Sequence, residues 1–272
     1  LEAASFALEE ADSLRYELRA SLHLELARAA SIADNSRHAA QHIAKGLSLD
    51  LPLGRASCEA VSRSLGRLDT RLRLRMGLLE PTRPVYSALA ALDRLRGERK
   101  PALRARTIQD TYSHLAAEGS PPAPALGVEA AESHAEVPDA NAMAVTEGVV
   151  AASEALFVWA ELIDSAWADG LWRTAREAAE DFVRRELPLD GAGAPLPELA
   201  RLQVEATLTL GETYRAEADD TEAMTGAANA ERRTQLLTVA QQHFCKAMQR
   251  GVELGDSSLV LDGAALIWNS SI

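Results

Sequence analysis

Two histidines in the first part of the chain have the spacing of a metal-binding pair. His38 and His42 lie four residues apart, so a helix places both imidazoles on one face, where they could share a metal ion. No glutamate stands between them as in the HExxH motif, and no third ligand is evident in the sequence. We therefore interpret the pair as part of a solvated helix face and predict no metal site.

His42 also belongs to a phrase that recurs later in the chain in nearly the same form. AAQHIAKGL occupies residues 39–47 and AQQHFCKAM occupies residues 240–248. Both phrases combine small and large apolar residues at helical spacing, as the packing face of a helix does. The repetition predicts a structural role for His42 and His243, which we expect to face outward or toward a neighbouring helix. The residues predicted to face inward are Ala39, Ile43, Gly46, Ala240, Phe244 and Ala247.

The common catalytic and phosphate-binding motifs are absent from the sequence. None of the patterns G-x-x-x-x-G-K-S/T, G-x-G-x-x-G and G-x-S-x-G occurs. Carboxylates such as Glu9-Glu10 and Asp219-Asp220 are adjacent, so on a helix they point in different directions rather than forming an acid–base pair. The sequence therefore predicts a protein that is not an enzyme, with no catalytic residues, no cofactor-binding residues and no cofactor.

The cysteines and tryptophans favour structural roles. Cys58 stands beside Glu59, whose negative charge disfavours a reactive thiolate. The other cysteine, Cys245, is distant in sequence, so a disulfide framework is not expected and a reducing cytosolic compartment fits best. The four tryptophans lie in apolar stripes with helical spacing, which predicts that they belong to the core rather than to a ligand site.

One basic segment differs from the rest of the chain. Residues 55–106 contain 13 Lys or Arg residues against 5 Asp or Glu residues, a net charge of +8, although the whole chain carries −12. Within this segment an arginine ladder recurs every four residues, at Arg63, Arg67, Arg71 and Arg75. The neighbouring face of the same predicted helix is apolar and includes Val61, Leu65, Leu68, Leu72, Met76 and Leu79.

The arginine ladder has two interpretations. An amphipathic repeat helix with a solvated basic face is one, since charged runs are usually solvated. A docking stripe for an acidic partner is the other, and a basic amphipathic helix is also the general form of a calmodulin target. The apolar anchors in that narrower interpretation would be Val61, Leu65, Leu68 and Leu74.

Composition indicates the fold class. Hydrophobic residues make up 47% of the 272 residues but aromatic residues only 4%, which suits closely packed helices better than a large sheet. The net negative charge disfavours nucleic acid as a partner. No apolar run approaches the ~18 residues of a membrane span, and no signal peptide opens the sequence.

Helical hairpins recur along the chain. A long helix, a turn and a shorter helix are predicted around residues 11–47 and again around 144–186. A third unit covers Leu210-Gly211-x-x-Tyr214 and the second phrase, with residues 219–234 as a long turn or a helix extension. The spacings resemble the tetratricopeptide pattern, in which small residues let two helices approach while a bulky residue fills the gap, although Tyr214 and Ala240 lie 17 residues further apart than that pattern requires. We expect an all-α protein, an α-solenoid of degenerate tetratricopeptide-like hairpins.

A proline-rich stretch divides these hairpins. Residues 118–141 include four prolines and little apolar periodicity, which predicts a linker or surface loop. We expect a first block of hairpins at 1–117 and a second at 142–272. The chain begins at Leu1 and stops at Ile272 inside an apolar helical pattern, so we expect it to be a fragment of a longer polypeptide.

Several phrases of the sequence together resemble a known family. WAELIDSAWADGLWRTAREAAEDF (159–182), LARLQVEATLTLGETY (199–214) and GVELGDSSLVLDGAALIWN (251–269) resemble successive segments of the cilia- and flagella-associated protein 46 family. ADSLRYELRASLHLELARAA (11–30) and RLDTRLRLRMGLLE (67–80) resemble the segment just before them. The resemblance covers most of the chain apart from the proline-rich stretch.

This resemblance implies a structural scaffold of the C1d projection, in the central apparatus of motile cilia and flagella. The implied role is assembly of the projection and control of ciliary beating. The implied partners are other large cilia- and flagella-associated proteins, calmodulin and, directly or indirectly, the C1 microtubule, without nucleic acid or membrane. The implied location is the axoneme, a cytoskeletal structure of the cytoplasm. The alternative is the helical-repeat sensor arm of a bacterial signalling ATPase or transcription regulator.

Overall fold

The computed structural model describes residues 16–49, 51, 56–80, 83–95, 97–117, 140–189, 193–222 and 227–270. These residues form ten α-helices and no β-strand, and Leu189 and Pro195 form a single isolated bridge. The predicted all-α class is therefore confirmed. The helices are α1 Tyr16–Ile32, α2 Ser36–Leu47, α3 Ala56–Arg75, α4 Pro84–Leu95, α5 Pro101–Ala117, α6 Ala140–Ala168, α7 Trp172–Val183, α8 Pro197–Glu222, α9 Ala227–Glu253 and α10 Ser257–Ser270.

The contacts divide the chain into two compact units between Asp93 and Arg94. In the first unit α1, α2 and α3 pack against one another. Small residues allow the close approach, since a Cβ added at Gly46 of α2 would lie 2.7 Å from a terminal methyl of Leu65 on α3. The core of this unit consists of Leu24, Ala27, Ala39, Ile43, Leu65 and Leu72.

In the second unit each helix from α5 to α10 packs against the next one in the chain. Alternate helices also meet, because α6 contacts α8 and α8 contacts α10. Helices packed in neighbouring pairs, with alternate helices in contact, are consistent with a helical solenoid. One core cluster of this unit consists of Val204, Leu208, Ala240, Phe244, Ala247 and Leu259.

Helix α5 belongs to the second unit, although the sequence placed it in the first block of hairpins. Its polar side chains make the connection: Thr174 donates to Gln109 at 3.0 Å, and the Tyr112 hydroxyl donates to Asp181 at 3.1 Å. These contacts lie across α5 and α7, so the division by contacts precedes α5. Residues 118–139 of the predicted linker lie outside the described residues, and the linker stays a prediction.

The same type of turn occurs in three helix–turn–helix connections. Residues 33–35, 169–171 and 254–256 each join two helices, and the middle residue of each turn has positive φ. That residue is a glycine in the last two turns, Gly170 and Gly255, where the missing Cβ removes the steric cost of the left-handed conformation. In each case the third turn residue donates its amide five residues back, as Asn35 does to the carbonyl of Ala30 at 2.8 Å. The same Schellman closure therefore ends α1, α6 and α9.

Large aromatic residues lie between the paired helices. Trp159, Phe182 and Phe244 are buried, and Tyr214 is partly buried. The segment 219–234, expected as a long turn or a helix extension, is mainly helical, because α8 continues to Glu222 and α9 begins at Ala227. The long separation in sequence between Tyr214 of α8 and Ala240 of α9 therefore results mainly from the greater length of these two helices.

Candidate docking surfaces

The arginine ladder lies along α3, beside the apolar face that packs into the first unit. Leu65 and Leu72 of α3 are buried in the core of that unit, while Val61 and Leu68 are partly buried against it. Arg63, Arg67 and Arg71 are half-buried rather than fully solvated. The prediction that basic and apolar residues occupy neighbouring faces of one helix agrees with this arrangement.

Members of the ladder also have contacts inside the unit. Arg75 donates to the carbonyl of Ser31 at 3.3 Å and lies 3.7 Å from the carboxylate of Asp34. A cation at this place stabilises the end of α1, where the last carbonyls carry partial negative charge. Arg67 donates to the hydroxyl of Ser64 at 2.9 Å, and Arg63 and Arg71 have internal interactions too. Arg75 therefore connects α3 to the end of α1, and docking on the ladder stays a prediction.

The histidine pair with metal-binding spacing contacts a third histidine. The Nδ1 atoms of His42 and His23 are 3.2 Å apart, and the rings of His38 and His42 meet edge to face at 5.9 Å. Because a neutral imidazole has one donor and one acceptor nitrogen, a hydrogen bond here joins two different tautomers. In the described part of the chain, no group of three or more His, Cys, Asp or Glu side chains has the arrangement of a metal site.

His243, the counterpart of His42 in the second phrase, packs against an aromatic ring instead. It stacks on Tyr214 with 5.5 Å between ring centroids and an angle of 7° between the planes. Burial lowers the pKa of His243 below its ordinary value, and the nearby charges of Lys246 and Arg176 lower it further against the opposing effect of Glu180. The neutral imidazole is therefore the form that this contact favours.

Arg176 joins three helices around the same tyrosine. Its guanidinium lies 4.0 Å from the centre of the Tyr214 ring and donates to the carbonyl of Thr213 at 2.8 Å. It also pairs with Glu217, which accepts a second hydrogen bond from Arg232 of α9 at 2.7 Å. Burial acts to raise the pKa of Glu217, but the hydrogen bonds from Arg232 and Arg176 outweigh it and lower the pKa. This network stabilises the packing of α7, α8 and α9.

Tyr112 also has a perturbed pKa that packing explains. Burial, together with the charge of Asp181 and the hydrogen bond to it, raises the pKa of Tyr112 to about 12. The ring of Tyr112 meets Trp159 edge to face at 5.9 Å. Both interactions belong to the packing of α5 against α6 and α7, so the perturbed pKa reports a structural contact.

The last helix carries an exposed apolar stripe that the sequence did not predict. Trp268 is 71% exposed and Leu261 is 69% exposed, and Ala264 and Ala265 between them are exposed too. The prediction that all four tryptophans are core residues is therefore wrong for Trp268. The composition of α10 could have indicated this exposed stripe, because the helix has apolar residues on all sides and Asp262 as its one charged residue.

The chain matches no protein-family model and no curated protein. The resemblance to the cilia- and flagella-associated protein 46 family therefore stays a prediction. Among the described helices, none combines the length and apolar character that crossing a membrane requires.

Proposed function

We propose that the chain is a non-enzymatic scaffold of helical pairs whose exposed surfaces hold other proteins. The observation that carries this proposal is the turn that recurs at 33–35, 169–171 and 254–256 with one backbone conformation. Repeated helix–turn–helix units stack into extended surfaces, and such surfaces are used for binding. The perturbed side chains Tyr112, His243 and Glu217 all take part in helix packing, which supports a structural role.

Two features of the packing support a tetratricopeptide-like repeat. Trp159 and Ala175 are both buried, on helices that form one pair. The ring of Phe244 fills the space next to Gly211, as a bulky residue opposite a small one does in that repeat. The proposed architecture is accordingly an α-solenoid of degenerate tetratricopeptide-like hairpins.

The proposed location is the C1d projection of the central apparatus in motile cilia and flagella. The support is the ordered set of phrases at 11–30, 67–80, 159–182, 199–214 and 251–269. The proposed partners are other large cilia- and flagella-associated proteins, calmodulin and the C1 microtubule, contacted directly or through another subunit. The role is to assemble the projection and to contribute to the control of beating.

Localisation tests this assignment. The chain with a fluorescent tag, expressed in flagellated cells, should remain on detergent-extracted axonemes, and it should be lost from axonemes that lack the central pair. Equal retention on both kinds of axoneme, or complete extraction by detergent, would contradict the proposed location.

Binding of the chain to an acidic partner tests whether the arginine ladder is a docking surface. Beads carrying calcium-loaded calmodulin or a glutamate-rich peptide should retain the chain at low salt and retain less at physiological salt, where the Debye length is ~8 Å. Replacing both Arg67 and Arg71 by glutamate should reduce retention at least 10-fold. The matched control is the pair Arg28→Glu and Arg37→Glu, which changes the net charge equally on exposed positions of the same unit.

Arg67 and Arg71 also have internal contacts, so folding must be checked in the same experiment. Helical circular dichroism should be unchanged, and the milder pair Arg67→Gln and Arg71→Gln should weaken capture by a smaller factor. Capture that survives the charge reversal would show that the ladder is only a solvated and structural face.

A further inference from the structure

One hydrogen bond between two histidines joins α1 to α2 in the first unit. The Nδ1 atoms of His23 and His42 are 3.2 Å apart, and their ring centroids are 5.4 Å apart. His23 is buried, with 2% of its surface exposed, and His42 is partly buried. A Cβ added at Gly46 would lie 3.3 Å from the Cβ of His23, so the backbone of α2 lies directly against this histidine. The packing therefore holds the two imidazoles at hydrogen-bond distance.

The geometry of this pair limits how many protons it can bind. One imidazole donates its Nδ1–H, and the other accepts with an unprotonated Nδ1. The donor can take up one more proton on its Nε2 without breaking the bond. The next proton would have to go to the accepting Nδ1, so the hydrogen bond would be lost and two positive charges would lie side by side. The folded pair therefore binds fewer protons in mild acid than two independent imidazoles do.

The charged neighbours of the pair come from all three helices of the unit. On α1, Arg19 lies one turn before the histidine, and on α2 the neighbours at one turn are His38, whose ring meets the pair edge to face at 5.9 Å, and Lys45. These three side chains have further interactions as well. Helix α3 packs Leu65 against the same point of α2, and Asp69, one turn further along α3, pairs with an arginine of its own helix at 2.7 Å. Additional positive charge on the pair therefore meets cations and a carboxylate that is already paired.

We propose that the contact between His23 and His42 is acid-sensitive: it holds α1 to α2 near neutral pH and weakens below a pH of about 6. The unfolded imidazoles take up their protons near a pH of about 6.5. Because the unfolded chain binds more protons than the folded pair, the stabilisation is present above that pH and decreases as the pH falls. Helix α3 packs against both α1 and α2, so its packing weakens with theirs. The proposal concerns the first unit and does not depend on the proposed function.

Nitrogen NMR of the whole chain with isotope-labelled histidine tests the proton arrangement. At about pH 7.5, one histidine of the pair should be the Nδ1–H tautomer and the other the Nε2–H tautomer. Signals are assigned by their loss in His23→Gln and His42→Gln. Two Nε2–H tautomers, or two fully protonated rings at a pH of about 6.5, would overturn the proposal, and this measurement requires only that the unsubstituted chain is folded.

Hydrogen exchange of the whole chain, followed by mass spectrometry, tests the consequence. Protection of α1 and α2 relative to α8 in the same sample should fall at least 10-fold between about pH 7.5 and pH 5.5, as the exclusion of one proton predicts. In His42→Gln, which can form a hydrogen bond but does not titrate, the ratio should change less than 2-fold. Circular dichroism at about pH 7.5 checks that this variant is folded.

Two further variants identify the titrating group. His38→Gln removes the neighbouring imidazole, and His243→Gln removes the histidine that stacks beside the reference helix α8. Both should keep the 10-fold response of the unsubstituted chain. Relative protection that is independent of pH, a response that is equal in His42→Gln, or a response that is lost in His38→Gln or His243→Gln would each overturn the proposal.

Discussion

Helices α2 and α9 contain nearly the same phrase; the inward residues of the two helices agree in burial, and the outward histidines differ in their contacts. On the inward side, Ala39 and Ile43 of α2 are buried as their counterparts Ala240 and Phe244 of α9 are. On the outward side, His42 lies against another histidine, whereas His243 stacks on Tyr214. Close helix packing therefore determines which residue types occupy the inward positions, while the neighbouring helix determines which contact each histidine makes.

The two helices also differ in the kind of side chain that lies against a glycine in their packing. Phe244 lies against Gly211 of α8, and a Cβ added at that glycine would come under 3.0 Å from the ring. In the first unit the close approach involves a different position, because Gly46 of α2 itself lies against Leu65 of α3, and a Cβ added at Gly46 would come 2.7 Å from a methyl of Leu65. The rigid ring of Phe244 cannot give way to an added methyl group as easily as the flexible end of Leu65 can. Substitutions at these positions therefore measure the difference between the two helices.

The largest expected effect is the loss of the ring. Phe244→Ala should lower the free energy of unfolding by about 3–5 kcal/mol, because it removes a buried ring and leaves a cavity between closely packed helices. Ile43→Ala should cost about 2–5 kcal/mol for the same reason at a smaller side chain. Urea unfolding followed by circular dichroism measures both. Leu261→Ala, at an exposed position, is the control and should change stability by less than about 0.5 kcal/mol.

Next in size is the difference between the two glycines. Gly211→Ala should destabilise the protein by about 1–3 kcal/mol, because the new Cβ overlaps a ring in a closely packed position. Gly46→Ala should cost less, since Leu65 can move its methyl and alanine stabilises a helix interior by up to about 1 kcal/mol over glycine. Thermal or urea unfolding of the two variants tests the order. A greater loss for Gly46→Ala would contradict the comparison.

Removal of each histidine should have a smaller effect. His243→Ala should cost about 0.5–1.5 kcal/mol, because the stacked contact with Tyr214 is lost. This is more than the sequence alone suggests for an outward-facing residue, since surface substitutions usually cost less than about 0.5 kcal/mol. His42→Ala should cost about 0.5–1.5 kcal/mol through the lost hydrogen bond to His23. Gln242→Ala, at an exposed neighbour in α9, serves as the control in urea unfolding.

The smallest expected effect is the pH dependence that His243 contributes. Its pKa is lowered in the folded protein, so the unfolded chain binds the proton more readily. Stability from this residue is therefore fully present above the unfolded pKa of about 6.5 and decreases as the pH falls toward the folded pKa. His243→Gln should flatten this part of the stability curve, whereas Cys245→Ala should not. A slope that is the same in both variants would show that other groups cause it.

The helices and their buried faces could be predicted from the sequence, because helix packing requires small and large apolar residues at helical spacing. The small and large residues at positions such as Ala240 and Phe244 recur at helical spacing, and Asp169-Gly170 marks a turn. The placement of α5 does not follow from periodicity, because long-range pairs such as Tyr112 with Asp181 connect it to the second unit.

The sequence predicted the contacts and exposure of surface residues less well than the burial of core residues. The contact of Arg75 with the end of α1 depends on which helix end lies nearby, which spacing within α3 does not encode. Trp268 has the same local pattern as a core residue, because an exposed helix face and a buried one can have the same apolar composition. Only the packing of α10 on α9 shows which of its faces is exposed.

The most direct test of the central claim, that the repeated phrase serves packing rather than chemistry, is a double-mutant cycle at Gly211 and Phe244. Gly211→Ala, Phe244→Leu and the double variant are compared by urea unfolding. Replacing the ring by leucine makes room for the new Cβ, so Gly211→Ala should cost at least about 1 kcal/mol less in the Phe244→Leu background. Effects that add within about 0.5 kcal/mol would contradict direct packing of the ring on the glycine.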